Sequence, residues 1–384
     1  MIQFVSKQAK EYVALKKELV SEVIWLRCLA CLAVVAIHCI NMTFSNYEGV
    51  LSNLSVTFLE VVKLALLFGT PTFVFISEFL LAKSYPNHIP DQFLWKRLRY
   101  ILIPYITMAV VYALYSLSRS GDLTTTALLV KIVRNIVAAD YIAYFIIVIF
   151  QFYVLHIIFT KYFQKISPKL MIFLCLVVNL IYLGFFNFVP PLYLIPGAEY
   201  LWNRFYWIPS PGWLFYFSVA YYCGRNHAAF REFLARYIKW FILSSIVSFL
   251  IILCFRFSDL LPEGNSKRID MLLYTISVIF VAFYLTSKIK QIPWVIDLVS
   301  RYSFGIYLLH LIFVQNFSEI FDGLNPWINI PLTFVLSIGV SILLTFVLHK
   351  LKIGSYFVGK IGVRFSTKTK NIQNENWIEK EVKV

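Results

Sequence analysis

The stretch Trp25–Met42 reads WLRCLACLAVVAIHCINM, and Arg27 and His38 are the only strongly polar groups in its middle. A run this long and apolar matches the thickness of a bilayer's hydrocarbon core, where backbone groups must bond internally. It is therefore read as a transmembrane helix. From Arg27 to His38 such a helix rises ~16 Å through a little over three full turns, so both side chains lie on one face. One sits near a membrane surface, the other deep in the bilayer. Ionisable groups are costly against lipid, which turns this face toward a working interior.

The rest of the chain repeats the pattern. Of 384 residues, 60% are apolar and 14% are charged, whereas a soluble domain of this size exposes far more charge. Ten apolar spans are expected, near 22–42, 56–82, 99–118, 143–163, 169–187, 211–225, 236–256, 269–287, 303–321 and 329–350. They lack the alternation of barrel strands, so the expected fold is all-α: a polytopic integral membrane helical bundle of about ten transmembrane helices. Residues 1–20 read as a cytoplasmic segment with a surface helix, 21–352 as one transmembrane domain, and 353–384 as a charged, mobile cytoplasmic tail.

The formal net charge of +15 invites a nucleic-acid partner, but its distribution argues against one. Of 35 Lys and Arg, 26 fall in the tails and the even-numbered loops. Seven lie on the opposite side (Arg119, Lys131, Arg134, Arg204, Arg256, Lys267, Arg268), and Arg27 and Lys63 lie inside spans. That asymmetry is an orientation signal, placing both termini in the cytoplasm of a multi-pass plasma-membrane protein. The six Cys sit in spans or at their ends and give no disulfide framework.

Two loops expected outside are long. Within 119–142, Leu128, Leu129, Ile132, Val133, Ile136 and Val137 have helical spacing, which predicts a short helix lying on the membrane surface. The loop 188–210 carries prolines, Trp and Tyr beside Glu199, Asn203 and Arg204, and reads either as a glycan platform or as an interfacial aromatic belt.

Among the histidines, His38 and His310 are the deep candidates, while His156 has no evident partner. In RYSFGIYLLH, Ser303, Tyr307 and His310 are spaced i, i+4, i+7 and share a face that either binds a polar ligand or bonds neighbouring helices. In WKRLRYILIPY, Lys96 and Arg99 share a face and Arg97 points elsewhere. Such a cluster either anchors the helix end or clamps phosphates. Glu78 needs a partner in the membrane, and Arg27, at comparable depth, is the one expected. His38 and His310 lack carboxylate or thiolate neighbours at ligand spacing, so no metal site and no bound cofactor are expected.

At these residues the chain resembles the acyltransferase 3 family of membrane O-acyltransferases. The motifs that carry the resemblance are Arg27 followed after ten residues by His38, the cluster Lys96–Arg97–Arg99 before IPY, and YSFGIYLLH ending in His310. It covers essentially all ten spans. The segments LIPYITMAVVY, YFIIVIFQFYVL and GWLFYFSVAYYCGRN look like the branch that accompanies staphylococcal biofilm polysaccharide synthesis. That branch is described as a poly-N-acetylglucosamine O-succinyltransferase or as an exporter of that polymer. Glu78 stands where the family usually has Gly, and Tyr144–Phe145 where it often has Trp–Phe.

The resemblance implies transfer of an acetyl or succinyl group from cytoplasmic acyl-CoA, a co-substrate, to a hydroxyl of an extracytoplasmic polysaccharide. It casts His38 as general base and Arg27 as the second catalytic residue, and Lys96, Arg97 and Arg99 as donor contacts. Ser303, Tyr307, His310 and Glu78 are cast in substrate binding or positioning. The implied partners are acyl-CoA, a cell-surface carbohydrate, membrane lipid and polysaccharide synthase components. The alternative is an exporter of a polysaccharide such as poly-N-acetylglucosamine.

Overall fold

The computed structural model describes residues 20–362 except 164, 192, 194, 195, 352 and 353. In chain order its helices are α1 (Ser21–Asn46), α2 (Asn53–Leu66), α3 (Gly69–Ser84), α4 (Phe93–Arg97), α5 (Ile103–Ser120), α6 (Thr125–Val137), α7 (Phe145–Tyr162) and α8 (Pro168–Phe188). They continue as α9 (Ala198–Trp207), α10 (Leu214–Arg225), α11 (His227–Phe257), α12 (Met271–Ser287), α13 (Trp294–Ile320), α14 (Pro326–Lys350) and α15 (Ser355–Val358).

Among the described residues, eight helical segments are long and apolar enough to cross a membrane, and α12 is a shorter apolar helix. The protein is a polytopic all-helical bundle. The span expected near 211–225 is realised as α10, with only 12 residues; these rise ~18 Å, short of a ~30 Å hydrocarbon core. The span expected at 56–82 is two helices, α2 and α3, joined at Leu67–Phe68. Pro71 accounts for the joint, since its ring crowds the carbonyl of residue 67 and it has no N–H to give. Pro104 acts similarly before α5, where Leu98–Leu102 widens into a π-helical turn closed by the Ile103 N–H on the Leu98 carbonyl.

The quoted stretch lies at the centre. Helix α1 packs along α13, and also against α3, α12 and α14. Its approach to α3 is close because Gly69 has no side chain. A Cβ there would lie 3.1 Å from the Ala30 carbonyl oxygen and 3.2 Å from the Ala33 Cβ, the small-residue contact that lets membrane helices meet.

Polar contacts gather the helix ends into two faces. On one, Arg119 pairs with Glu319, Arg204 with Asp140 and Arg256 with Glu60, and the Tyr47 hydroxyl donates to carbonyls of the 321–324 turn. On the other, Arg231 pairs with Glu22, Arg225 donates to Asn87, and Arg99 donates to Tyr356. The expected loop helix is α6, capped by Thr124. Leu129, Val130, Val133 and Val137 stand exposed on it, an apolar surface suited to a membrane interface.

The expected surface helix before residue 20 and the tail beyond 362 lie outside the described residues. The beginning of that tail is packed. Val358 of α15 is buried beside α5, and the Gly362 N–H donates to the Arg301 carbonyl at 2.9 Å.

Candidate active site

On α1, Arg27, Cys31, Val34, Val35 and His38 fall at i, i+4, i+7, i+8 and i+11, one stripe of a helix. Cys31, Val34 and Val35 face Phe73 of α3 and Ile306, Tyr307 and His310 of α13 across a void of about 160 Å³, nowhere wide enough for a water molecule. The void is thus flanked along α1 by Arg27 toward one face and His38 toward the other. Arg27 and His38 are half-buried on a stripe whose intervening members are buried. Arg27 makes no hydrogen bond or ion pair among the described residues.

The structure brings His38 and His310 together. Their ring centroids are 5.2 Å apart and the rings are inclined at 53°. His310 is fully buried, with Nδ1 at 2.9 Å from both the Ile306 and the Tyr307 carbonyl oxygens. Tyr307 also lines the void, but its hydroxyl turns away and donates to the Ile142 carbonyl at 2.8 Å. Ser303 is buried seven residues earlier, ~10 Å along the axis, and makes no hydrogen bond among the described residues. Of the expected α13 stripe, His310 is the residue whose ring stands against that of His38.

Glu78 does not pair with Arg27. Its Oε1 lies 2.6 Å from Nδ1 of His156, and both side chains are fully buried. This corrects two expectations at once, because His156 was the histidine without an evident partner. Burial explains the choice, since a sealed carboxylate is costly if left unpaired and His156 of α7 lies within its reach.

The basic cluster divides. Arg97 lies over the rings of Phe93 and Tyr153 at 5.3 and 5.4 Å. Arg99 donates to the Tyr356 hydroxyl, and Lys96 is exposed. Arg97 thus reaches α7 at Tyr153, which precedes His156 on the same helix.

On the opposite face the sequence reading missed two buried cations. Lys267 and Arg268 had counted only toward charge asymmetry, yet they are 1% and 0% exposed. Lys267 donates to the Gly212 carbonyl at 2.9 Å and lies 4.0 Å over the Trp213 ring; burial pulls its ammonium well below the usual lysine range. Arg268 pairs with Asp270 and donates to the Ile252 and Glu263 carbonyls. Asp270, two residues on, was the available signal. In the neighbouring 188–210 loop, Arg204 donates to the Ala139 carbonyl and Asn203 is exposed.

The chain matches the family model described as an acyltransferase domain over residues 20–349. A relative named as a candidate membrane-bound acyltransferase, YfiQ of Bacillus subtilis (strain 168), is 38% identical over 348 residues, spanning 89% of this chain and 95% of the relative. Proteins named as candidate poly-β-1,6-N-acetyl-D-glucosamine export proteins are more distant. That of Staphylococcus aureus (strain MRSA252) is 26% identical, covering 90% of this chain and 97% of its own length. That of Staphylococcus epidermidis is also 26% identical, over 88% and 94% respectively. No solved structure matches. With the family model spanning nearly the whole bundle and the Arg27–His38 helix at its centre, the chain belongs to the acyltransferase 3 family and is a membrane-bound acyltransferase.

Proposed function

We propose that the protein is an O-acyltransferase carrying an acetyl or succinyl group from cytoplasmic acyl-CoA to a hydroxyl of an extracytoplasmic cell-surface polysaccharide, of the biofilm type. The observation that carries this reading is the void flanked by Arg27 and His38 and closed by His310. An acyl transfer across a membrane needs a cation toward the donor's side and a base where the acceptor arrives, with apolar side chains between them. The α1 stripe supplies these in order.

The basic bias of the tails and even-numbered loops supports N-in and C-in topology in the plasma membrane. Lys96, Arg97 and Arg99 then face cytoplasmic acyl-CoA, where guanidinium forks suit its phosphates. The neutral alcohol of a sugar is a poor nucleophile. His38 takes its proton as it attacks the thioester carbonyl, an effect worth roughly 10²–10⁴-fold in rate. Arg27 holds the donor's anionic groups, including a succinyl carboxylate where that is the acyl group. Polysaccharide synthase components are natural neighbours, because they deliver the acceptor.

The names of the staphylococcal relatives favour a second reading, polymer export. The largely apolar lining beside His310 favours transfer, since a passing polysaccharide needs a wide polar path. Mass analysis of surface glycans from cells producing wild type or His38→Ala decides. Expected is acylated polymer with wild type, and at least ~10²-fold less acylation with equal polymer outside for the variant. Unchanged acylation with polymer trapped inside would overturn the enzyme reading and establish export.

A further inference from the structure

We infer that His310 is the second imidazole of a two-histidine proton relay, its Nε2 accepting the proton that His38 passes on. This rests on the reading of His38 as general base. The argument starts from tautomers. Nδ1 of His310 lies 2.9 Å from two backbone carbonyl oxygens, and carbonyl oxygens only accept hydrogen bonds, so Nδ1 carries the hydrogen. In a neutral imidazole the other nitrogen then keeps its lone pair. Nε2 is buried and has no hydrogen-bond partner among the described residues. A histidine that served only to tie α13 to a neighbour would direct that nitrogen at a donor. Here the ring is turned so that both carbonyls of its own helix fix Nδ1, while the ring as a whole lies against His38.

No hydrogen bond joins the two rings at this separation, and catalytic hydrogen bonds commonly shorten only in the reacting complex. The step balances. The acceptor oxygen bonds to the thioester carbonyl carbon and loses its proton to one nitrogen of His38. The N–H on the other nitrogen of His38 passes to Nε2 of His310. The carbon–sulfur bond breaks, CoA leaves as thiolate, and the proton returns through His38 to that sulfur. During the step the His310 imidazolium is held by the Ile306 and Tyr307 carbonyls, which favour a positively charged donor. The relay leaves His38 neutral while the tetrahedral centre forms, so no second charge has to be accommodated on α1.

Two measurements test this. The first is ¹⁵N solid-state NMR of the histidine-labelled full chain in lipid, with the His310 signals assigned by their loss in His310→Gln. Protonated Nδ1 and unprotonated Nε2 are expected; the reverse tautomer overturns the relay. The second is transfer of radiolabelled acetyl-CoA and succinyl-CoA into glycan in membranes of cells that carry the acceptor, across mixtures of H₂O and D₂O. His310→Gln keeps an acceptor oxygen near the Nε2 position but cannot take a proton. It should lower turnover by about 10²-fold with little change in KM, and should turn a curved, two-proton isotope dependence into a linear one. Turnover and curvature equal to wild type in a stably inserted His310→Gln overturn the relay alone. Full activity in His38→Ala would instead remove the base reading on which the relay rests.

Discussion

At the scale of single residues, the pairing of Glu78 with His156 shows how burial selects partners. Arg27 was the stronger electrostatic match for Glu78, but it lies on the stripe of α1 that borders the void. His156 comes from α7, a helix the sequence offered no reason to place beside α3. Both groups are sealed at 0% exposure, so removing one strands the other. Glu78→Ala should lower stability by about 1–3 kcal/mol, because it leaves the buried His156 Nδ1 without its partner, and Glu78→Ala with His156→Ala should recover part of the loss. Thermal unfolding in detergent of both singles and the double reads the coupling. Additive losses, with no coupling beyond ~0.5 kcal/mol, would mean the two residues act independently.

At the scale of elements, close helix contacts hold the site in register. Gly305 lies in YSFGIYLLH, five residues before His310, and faces α14. A Cβ on Gly305 would lie 2.2 Å from Oγ1 and 2.8 Å from Cγ2 of Thr345. Thr345 is itself buried. Gly305→Ala should therefore overpack the α13–α14 contact, costing about 1–3 kcal/mol, and should reduce acyl transfer by displacing His310. Adding Thr345→Ala removes both colliding atoms and should restore most of the stability and activity. Unfolding temperature and glycan acylation are measured on the single and the pair. Gly305→Ala behaving as wild type would mean that α13 and α14 slide freely at this contact. The π-helical turn before Pro104 belongs to the same scale, since it resets the helix phase between the Lys96–Arg99 cluster and α5.

At the scale of the whole molecule, sidedness governs whether donor and acceptor meet. The polar contacts sort the helix ends into two faces, and the basic residues favour the one bearing Lys96, Arg97 and Arg99. Single cysteines at Asn87 and Asn203, both exposed, report on the two faces. Four of the native cysteines are buried, so replacing Cys223 and Cys254 provides the background. With an impermeant thiol reagent on intact cells, Asn203→Cys should label and Asn87→Cys should not. The opposite pattern would put the basic cluster outside, away from cellular acyl-CoA.

The sequence by itself determined that this chain is a membrane bundle, where most of its spans begin and end, and that Arg27 and His38 share a face. Each of these follows from local periodicity and from the cost of exposing backbone or charge to lipid, and both act within one segment. The family followed as well, because its motifs are local and occur in order. What only the tertiary structure decided is which segments meet. It set His310 against His38, gave Glu78 to His156, turned Tyr307 toward Ile142 and buried Lys267 and Arg268 beside Gly212 and Ile252. It also shortened one expected span to the 12 residues of α10. These outcomes depend on helix phase, on small residues such as Gly69 and Gly305, and on what each buried polar group can reach. None of that is written in the spacing of any one helix, because a partner across a helix contact is chosen by packing in three dimensions.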